Sequence, residues 1–231
     1  MDRTGRKKVM LSECAYVLGL AALALGTALM EKADFGMSMV VAPAYLIYRK
    51  LSQTIGWFTF GMAEYCLQAF LLLVTSVILR RFKLAYLFSF GTALLYGAAL
   101  DVFVRLVGLL PYNAIGWRFG FYGVGLLLCA TGVALLFHTY LSPEAYELLV
   151  KEISTKFQKK LSVVKTVYDC CSCAVSIALS FLFFGFGRLE GVKLGTVICA
   201  LVNGWLIGRI GGALEKRFVF RDGLKLRGLF L

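Results

Sequence analysis

Polar residues interrupt this chain at long intervals, and the apolar runs between them are each near or above the roughly 20 residues that a helix needs to cross a bilayer core. The pattern predicts six spanning helices, at about residues 11–30, 55–79, 84–110, 114–140, 163–186 and 194–214. Two of the breaks are richer than the others. After the first run the chain turns polar at Glu31, Lys32 and Asp34, bends at Gly36 and restarts as MVVAPAYLIYRKL behind Ser38. The Ser38 hydroxyl is placed to cap that short helix, and Pro43 either kinks it or marks its true start. After the fourth run, Ser142 stands as an N-cap, Pro143 at the first helical position and Glu144 in the first turn, where the helix dipole favours an anion. In the helix that follows, Tyr146, Leu149, Val150, Ile153 and Phe157 share a face, with Glu147, Lys151, Glu152 and Lys156 off it, which predicts an amphipathic helix lying along the membrane surface. The fold class is an all-α, polytopic membrane protein with six spans plus short helices after spans one and four.

The two rich breaks stand about a hundred residues apart, and the halves around them align. Gly26 meets Gly132, Ser38 meets Ser142, Glu64 meets Asp169, Gly91-Thr92 meets Gly195-Thr196, Arg105 meets Arg209 and Gly108 meets Gly212. Charged residues are scarce inside the spans, so the paired arginines weigh more than the paired glycines. The chain reads as one membrane domain with a first repeat over about 11–110, a second over about 114–214 and a basic tail over 215–231. Three spans per repeat make the second enter the membrane from the opposite side, the inverted arrangement in which carriers place a substrate site between halves that rock against each other.

Composition agrees with this reading. The chain of 231 residues is 60% hydrophobic and only 16% charged, with a mean hydropathy of +0.79. Its net charge of +12 invites a nucleic-acid partner, but the lysines and arginines collect in the links between spans, where the positive-inside rule accounts for them. Sixteen of the 25 lie at the N-terminus, in the 80–83 and 151–160 links and in the tail, against six on the other side (Lys32, Arg49, Lys50, Arg118, Arg188 and Lys193). Both termini are therefore expected in the cytoplasm. The basic N-terminus has no cleavage site before a hydrophilic mature domain and is expected to be a retained first span. All seven cysteines fall in hydrophobic stretches, where they behave as small apolar residues, and neighbours such as Cys170 and Cys171 face different ways on a helix, so no metal or other cofactor is expected.

Six ionisable residues fall inside or near the spans: Glu64, Asp101, Arg105, Lys165, Asp169 and Arg209. A charge at the bilayer centre costs roughly 2.5–3.5 kcal/mol on insertion scales, so such residues face a bundle interior, pair, and mark pathways. Asp101 and Arg105 are four apart, as are Lys165 and Asp169, which predicts two ion pairs on single helix faces. The Asp34 to Ser38 turn and its counterpart at Ser142 are further candidates, because a helix start attracts anions. His138, at the end of a span, is expected to be interfacial. No hydrolytic triad, phosphate loop, zinc-protease motif or dinucleotide fingerprint is present, so an enzyme is not expected.

The stretches ALMEKADFGMS, YGAALDVF, LSPEAYELLVKEIS, VVKTVYD and GVKLGT together resemble the bacterial YczE/YyaS/YitT membrane proteins, over nearly all of the chain. The resemblance implies a bacterial plasma-membrane protein with six spans and names no reaction; Met39 departs from the proline common there, whereas Ser142-Pro143 keeps it. The expected function is transport of a small solute or ion. The alternative is a non-transporting membrane subunit, either a substrate-capture component docked on an energising partner through small-residue faces or an anchor for a cytoplasmic complex recruited by the basic links. Spacings such as Ala24-x-x-x-Ala28 and Gly204-x-x-x-Gly208 permit close helix packing within the bundle or with a membrane protein partner or second copy.

Overall fold

A computed structural model describes residues 7–80, 84–110, 114–186 and 190–224. Pro111, the Arg81 to Lys83 part of the second link, Arg188, and the basic residues Arg3, Arg6, Lys225 and Arg227 lie outside the described residues. Six helices are long and apolar enough to cross a membrane: α1 (Ser12–Ala33), α3 (Phe60–Leu79), α4 (Leu84–Gly108), α5 (Ile115–Phe137), α7 (Leu161–Phe184) and α8 (Leu194–Arg217). Two short helices, α2 (Ala42–Leu51) and α6 (Ala145–Phe157), follow the first and fourth of these. The chain is a multi-pass membrane protein, and its exposed apolar side chains, such as Leu73, Val77, Leu127 and Leu182, are the surface that meets lipid.

The packing repeats itself under exchange of α1–α4 for α5–α8. Helix α1 packs on α4 as α5 packs on α8; α3 lies against α4 as α7 lies against α8; and α2 bridges α3 and α7 as α6 bridges α7 and α3. The centre is the crossing of α1 with α5, where an offset of 106 residues takes Gly26 to Gly132 and Gly19 to Gly125. A Cβ on Gly26 would come 2.7 Å from the Gly125 carbonyl, and one on Gly132 would come 2.6 Å from the Gly19 carbonyl. Those two contacts are images of each other, as an isologous two-fold contact requires. The same offset relates Tyr16 to Tyr122: the first hydroxyl meets Thr92 of α4 at 2.8 Å, and the second donates to the Gly195 carbonyl of α8 at 2.5 Å.

A parallel two-stranded ribbon, β1 (Lys8–Leu11) with β2 (Phe218–Arg221), ties the start of α1 to the end of α8 on one face of the helical bundle. Two expectations change. Helix α2 begins at Ala42 rather than directly behind Ser38. The carbonyl of Ser38, not its hydroxyl, receives Val41 N–H at 3.1 Å and Ala42 N–H at 3.0 Å, because Pro43 sets the first turn with its fixed φ and absent donor. Helix α6 does not lie on the surface. Its first two turns, Ala145 to Val150, are buried on every side, and only its second half is exposed. Its Ser142-Pro143 start is drawn inward by α4, as Ser89 donates to the Pro143 carbonyl at 2.5 Å and Thr92 to the Ser142 carbonyl at 2.8 Å. Ser142 thus acts through its backbone and is not the cap.

Candidate functional site

The buried start of α6 carries acids into the middle of the bundle. Glu144, which precedes the helix, and Glu147, one turn in, are 1% and 2% exposed. They meet Glu64 and Gln68 of α3 and Lys165 and Asp169 of α7, all of them buried. Gln68 holds this assembly together with both ends of its amide. Its carbonyl accepts from Ala145 N–H at 3.1 Å, supplying the cap that Ser142 does not, while its NH2 donates to Glu144 Oε2 at 3.3 Å and stands 3.5 Å from Glu64 Oε2. The Tyr146 hydroxyl donates to Glu64. The Lys165 ammonium lies 3.1 Å from Glu147 Oε1 and 3.1 Å from Asp169 Oδ1.

Four carboxyl groups therefore share one lysine in a site closed to solvent. Fully ionised, the group would carry three uncompensated negative charges, which a low-dielectric interior does not tolerate. Some of the carboxyls must hold protons or a bound cation. Glu64 Oε1, Glu144 Oε1 and Glu147 Oε2 have no hydrogen-bond partner, so the cluster keeps unused acceptor capacity.

A cavity of about 20 Å³ adjoins this cluster, just above the roughly 10–15 Å³ that admits one water-sized species. Leu23 and Thr27 of α1 line it opposite Cys129 and Val133 of α5, and the 106-residue offset exchanges the two pairs. The cavity thus sits on the axis that relates the repeats. Ser38 and Val41 close it from the first repeat, Glu144 and Glu147 from the second, with Tyr96, Lys165 and Asn203 completing the wall. A second, larger cleft of about 630 Å³ runs between α5, α7 and α8 from the face that carries β1 and β2, and its inner end is also Lys165.

Of the sequence candidates, Glu64, Lys165 and Asp169 meet in the cluster, and Ser38 borders the cavity. Asp101 does not pair with Arg105. It accepts from Thr59 Oγ1 at 2.9 Å and from Gly61 N–H at 3.0 Å, tying the start of α3 to α4. Arg105 and Arg209 are exposed, Arg209 lying over the Trp205 ring at 5.3 Å, so neither lines the interior; on the last turns of a span a long side chain can reach the interface. Asp34 is at the opposite face, bridged to Arg118 at 3.1 Å and Lys193 at 2.5 Å, where it fastens the 34–38 turn to the start of α8. Ser142 serves as a backbone dock for α4. His138 caps the end of α5 and contacts Glu215 at 3.1 Å, an interfacial position. The sequence reading missed Glu144, Glu147, Gln68, Tyr146 and Asn203. Glu144 and Glu147 are three apart and share a helix face, a signal that was present but reads equally well as a solvated first turn.

A family of unknown function, DUF6198, matches residues 10–211. The chain belongs to that family. The match takes in both repeats and every member of the buried cluster, and it assigns them no activity. No curated protein and no solved structure matches the chain.

Proposed function

We propose that this protein carries a small solute or ion across a bacterial plasma membrane, with both termini cytoplasmic, by alternating access between its two repeats. The observation that carries the reading is the cavity on the repeat axis, with the repeat-related acids Glu64 and Asp169 buried beside it. In carriers built from inverted repeats, the site lies at the repeat interface and the ends of short helices reach it; α6 supplies such an end here. The resemblance to the YczE/YyaS/YitT proteins supports the membrane and the topology. In this reading the buried carboxyls exchange their neutralising protons or cations as the repeats rock, which couples charge movement to the conformational change.

Reconstitution tests it. Liposomes containing the purified protein and an internal pH dye, or loaded with sodium or potassium tracer, should show protein-dependent flux that the Glu64→Gln/Asp169→Asn double variant lacks. A ligand-dependent melting screen on the detergent-purified protein then finds the solute, since a specific binder stabilises by mass action. The second reading, a non-transporting subunit, is favoured by the apolar groove of about 440 Å³ between α2, α3 and α7, lined by Pro43, Ile47, Phe70, Tyr168 and Leu179. Folded protein that shows no flux and copurifies with a stoichiometric membrane partner would decide for it.

A further inference from the structure

The cavity on the repeat axis presents acceptors. Glu144, Glu147 and Asn203 all line it, none is more than 3% exposed, and each keeps one side-chain oxygen without a hydrogen-bond partner: Glu144 Oε1, Glu147 Oε2 and Asn203 Oδ1. A buried acceptor that has lost its hydration needs a replacement. Protonation of one carboxyl would give the Asn203 carbonyl a donor but would leave the other carboxylate oxygen without a partner, whereas one cation in the cavity would meet all three oxygens together. Hard oxygens around a water-sized space suit a hard cation. Only two carboxylates face the space, and one of them is already paired with the Lys165 ammonium, so the charge left over matches a single positive charge and not two.

We infer that this cavity binds one monovalent metal cation of sodium or potassium size, and that the cleft between α5, α7 and α8 is its route from the face bearing β1 and β2. The inference deepens the carrier reading above and rests on it for the role of the cation. Lys165 borders both spaces and is the side chain they share. Its ammonium occupies Glu147 Oε1 while Oε2 is open to the cavity, so Lys165 acts as a tethered competitor: a cation that captures Glu147 loosens the lysine, and a lysine that reclaims Glu147 expels the cation. The cleft is floored by Gly204, Gly208, Gly211 and Gly212. A Cβ on Gly208 would have only the Ser162 Cβ near it, at 4.0 Å, and one on Gly212 would meet nothing within 4 Å. Those two glycines hold the route open, whereas Gly204, where a Cβ would come 2.5 Å from Thr166 Oγ1, allows the close packing of α8 on α7 that the Gly204-x-x-x-Gly208 spacing suggests.

The test is thermal melting of the full-length detergent-purified protein in sodium, potassium or N-methylglucamine chloride, at one pH and one ionic strength. The expected result is a melting temperature higher by about 5–10 °C in one alkali salt at about 100 times its dissociation constant. Glu144→Gln and Asn203→Leu should each remove that difference, and should Glu144→Gln not fold, Asn203→Leu alone decides. The Lys165→Met/Asp169→Asn double variant, which drops the competitor together with one of its partners, should reach half of the rise at a lower cation concentration. Gly208→Leu should keep the equilibrium rise and slow its onset after mixing. Equal melting in all three salts would overturn the inference and leave the space to water. An alkali effect that survives in both Glu144→Gln and Asn203→Leu would place the cation elsewhere, and would overturn it too. A cation-dependent rise lost in those variants, in protein that shows no flux in liposomes, would support the site while removing the carrier reading; flux of another solute with no cation effect would do the reverse.

Discussion

Replacing Lys165 with methionine is the sharpest probe of the cluster's electrostatics. The ammonium is 3.1 Å from an oxygen of Glu147 and 3.1 Å from one of Asp169, and the three side chains are at most 2% exposed. At an effective dielectric constant of about 20, each contact represents about 5 kcal/mol of Coulomb attraction before desolvation, and desolvation of the three groups offsets much of it. Removing one partner leaves the others buried and uncompensated, which costs about 3–5 kcal/mol. For a chain of this size each kcal/mol moves the melting temperature by about 2–4 °C, so Lys165→Met should melt about 6–20 °C below wild type. Adding Glu147→Gln and Asp169→Asn removes the stranded charges and should recover most of that loss, the non-additivity that a mutant cycle detects. In a Cys129→Ala background a fluorogenic thiol reagent reads the transition, since Cys173 and Cys199 are buried and free in the folded protein, while the four exposed cysteines set the baseline. A Lys165→Met protein that melts within about 2 °C of wild type would refute the argument, because the lysine would then be neutralising nothing.

Two further predictions concern the frame around the site. Gly26→Ala and Gly132→Ala each drive a methyl into the backbone of the opposite repeat and should cost about 1–3 kcal/mol; Gly123→Ala, on the same α5 but with open space around it, should be neutral or stabilise by up to about 1 kcal/mol through helix propensity, all three read by melting. Asp101→Asn should cost about 0.5–2 kcal/mol by weakening the cap at the start of α3, Arg105→Gln should stay within about 0.5 kcal/mol, and combining them should give no recovery, in contrast to what an Asp101–Arg105 ion pair would show.

Much of this arrangement is legible in the sequence, because a bilayer simplifies the reading. Spans reveal themselves through length and hydropathy alone, and the six observed helices start and stop close to where the apolar runs do. The duplication was legible through Gly26 and Gly132, which make the same contact twice at the crossing of α1 with α5. Glu64 and Asp169 aligned for the same reason and do meet in one site. What was not legible depends on which way a short helix points. Helix α6 has the amphipathic pattern of a surface helix, and nothing local says that Ser89 and Thr92, some fifty residues earlier, will pull its start inward and bury Glu147. The i, i+4 rule also failed once, at Asp101 and Arg105, because two donors at the start of a neighbouring helix outcompete an exposed arginine that gains as much from water and lipid headgroups. It held at Lys165 and Asp169, which are both buried.

The claim at the centre is that the cavity between the repeats opens to each face of the membrane in turn. Cys129 lines that cavity and is the native reporter for it. In a protein whose other six cysteines are replaced by serine or alanine, reconstituted in one orientation, Cys129 should react with a small methanethiosulfonate reagent added to either side, and reagent from one side should protect it from the other. A Cys129 that reacts from one face only, or from neither until the protein is unfolded, would contradict alternating access and leave the buried acids as part of a static bundle.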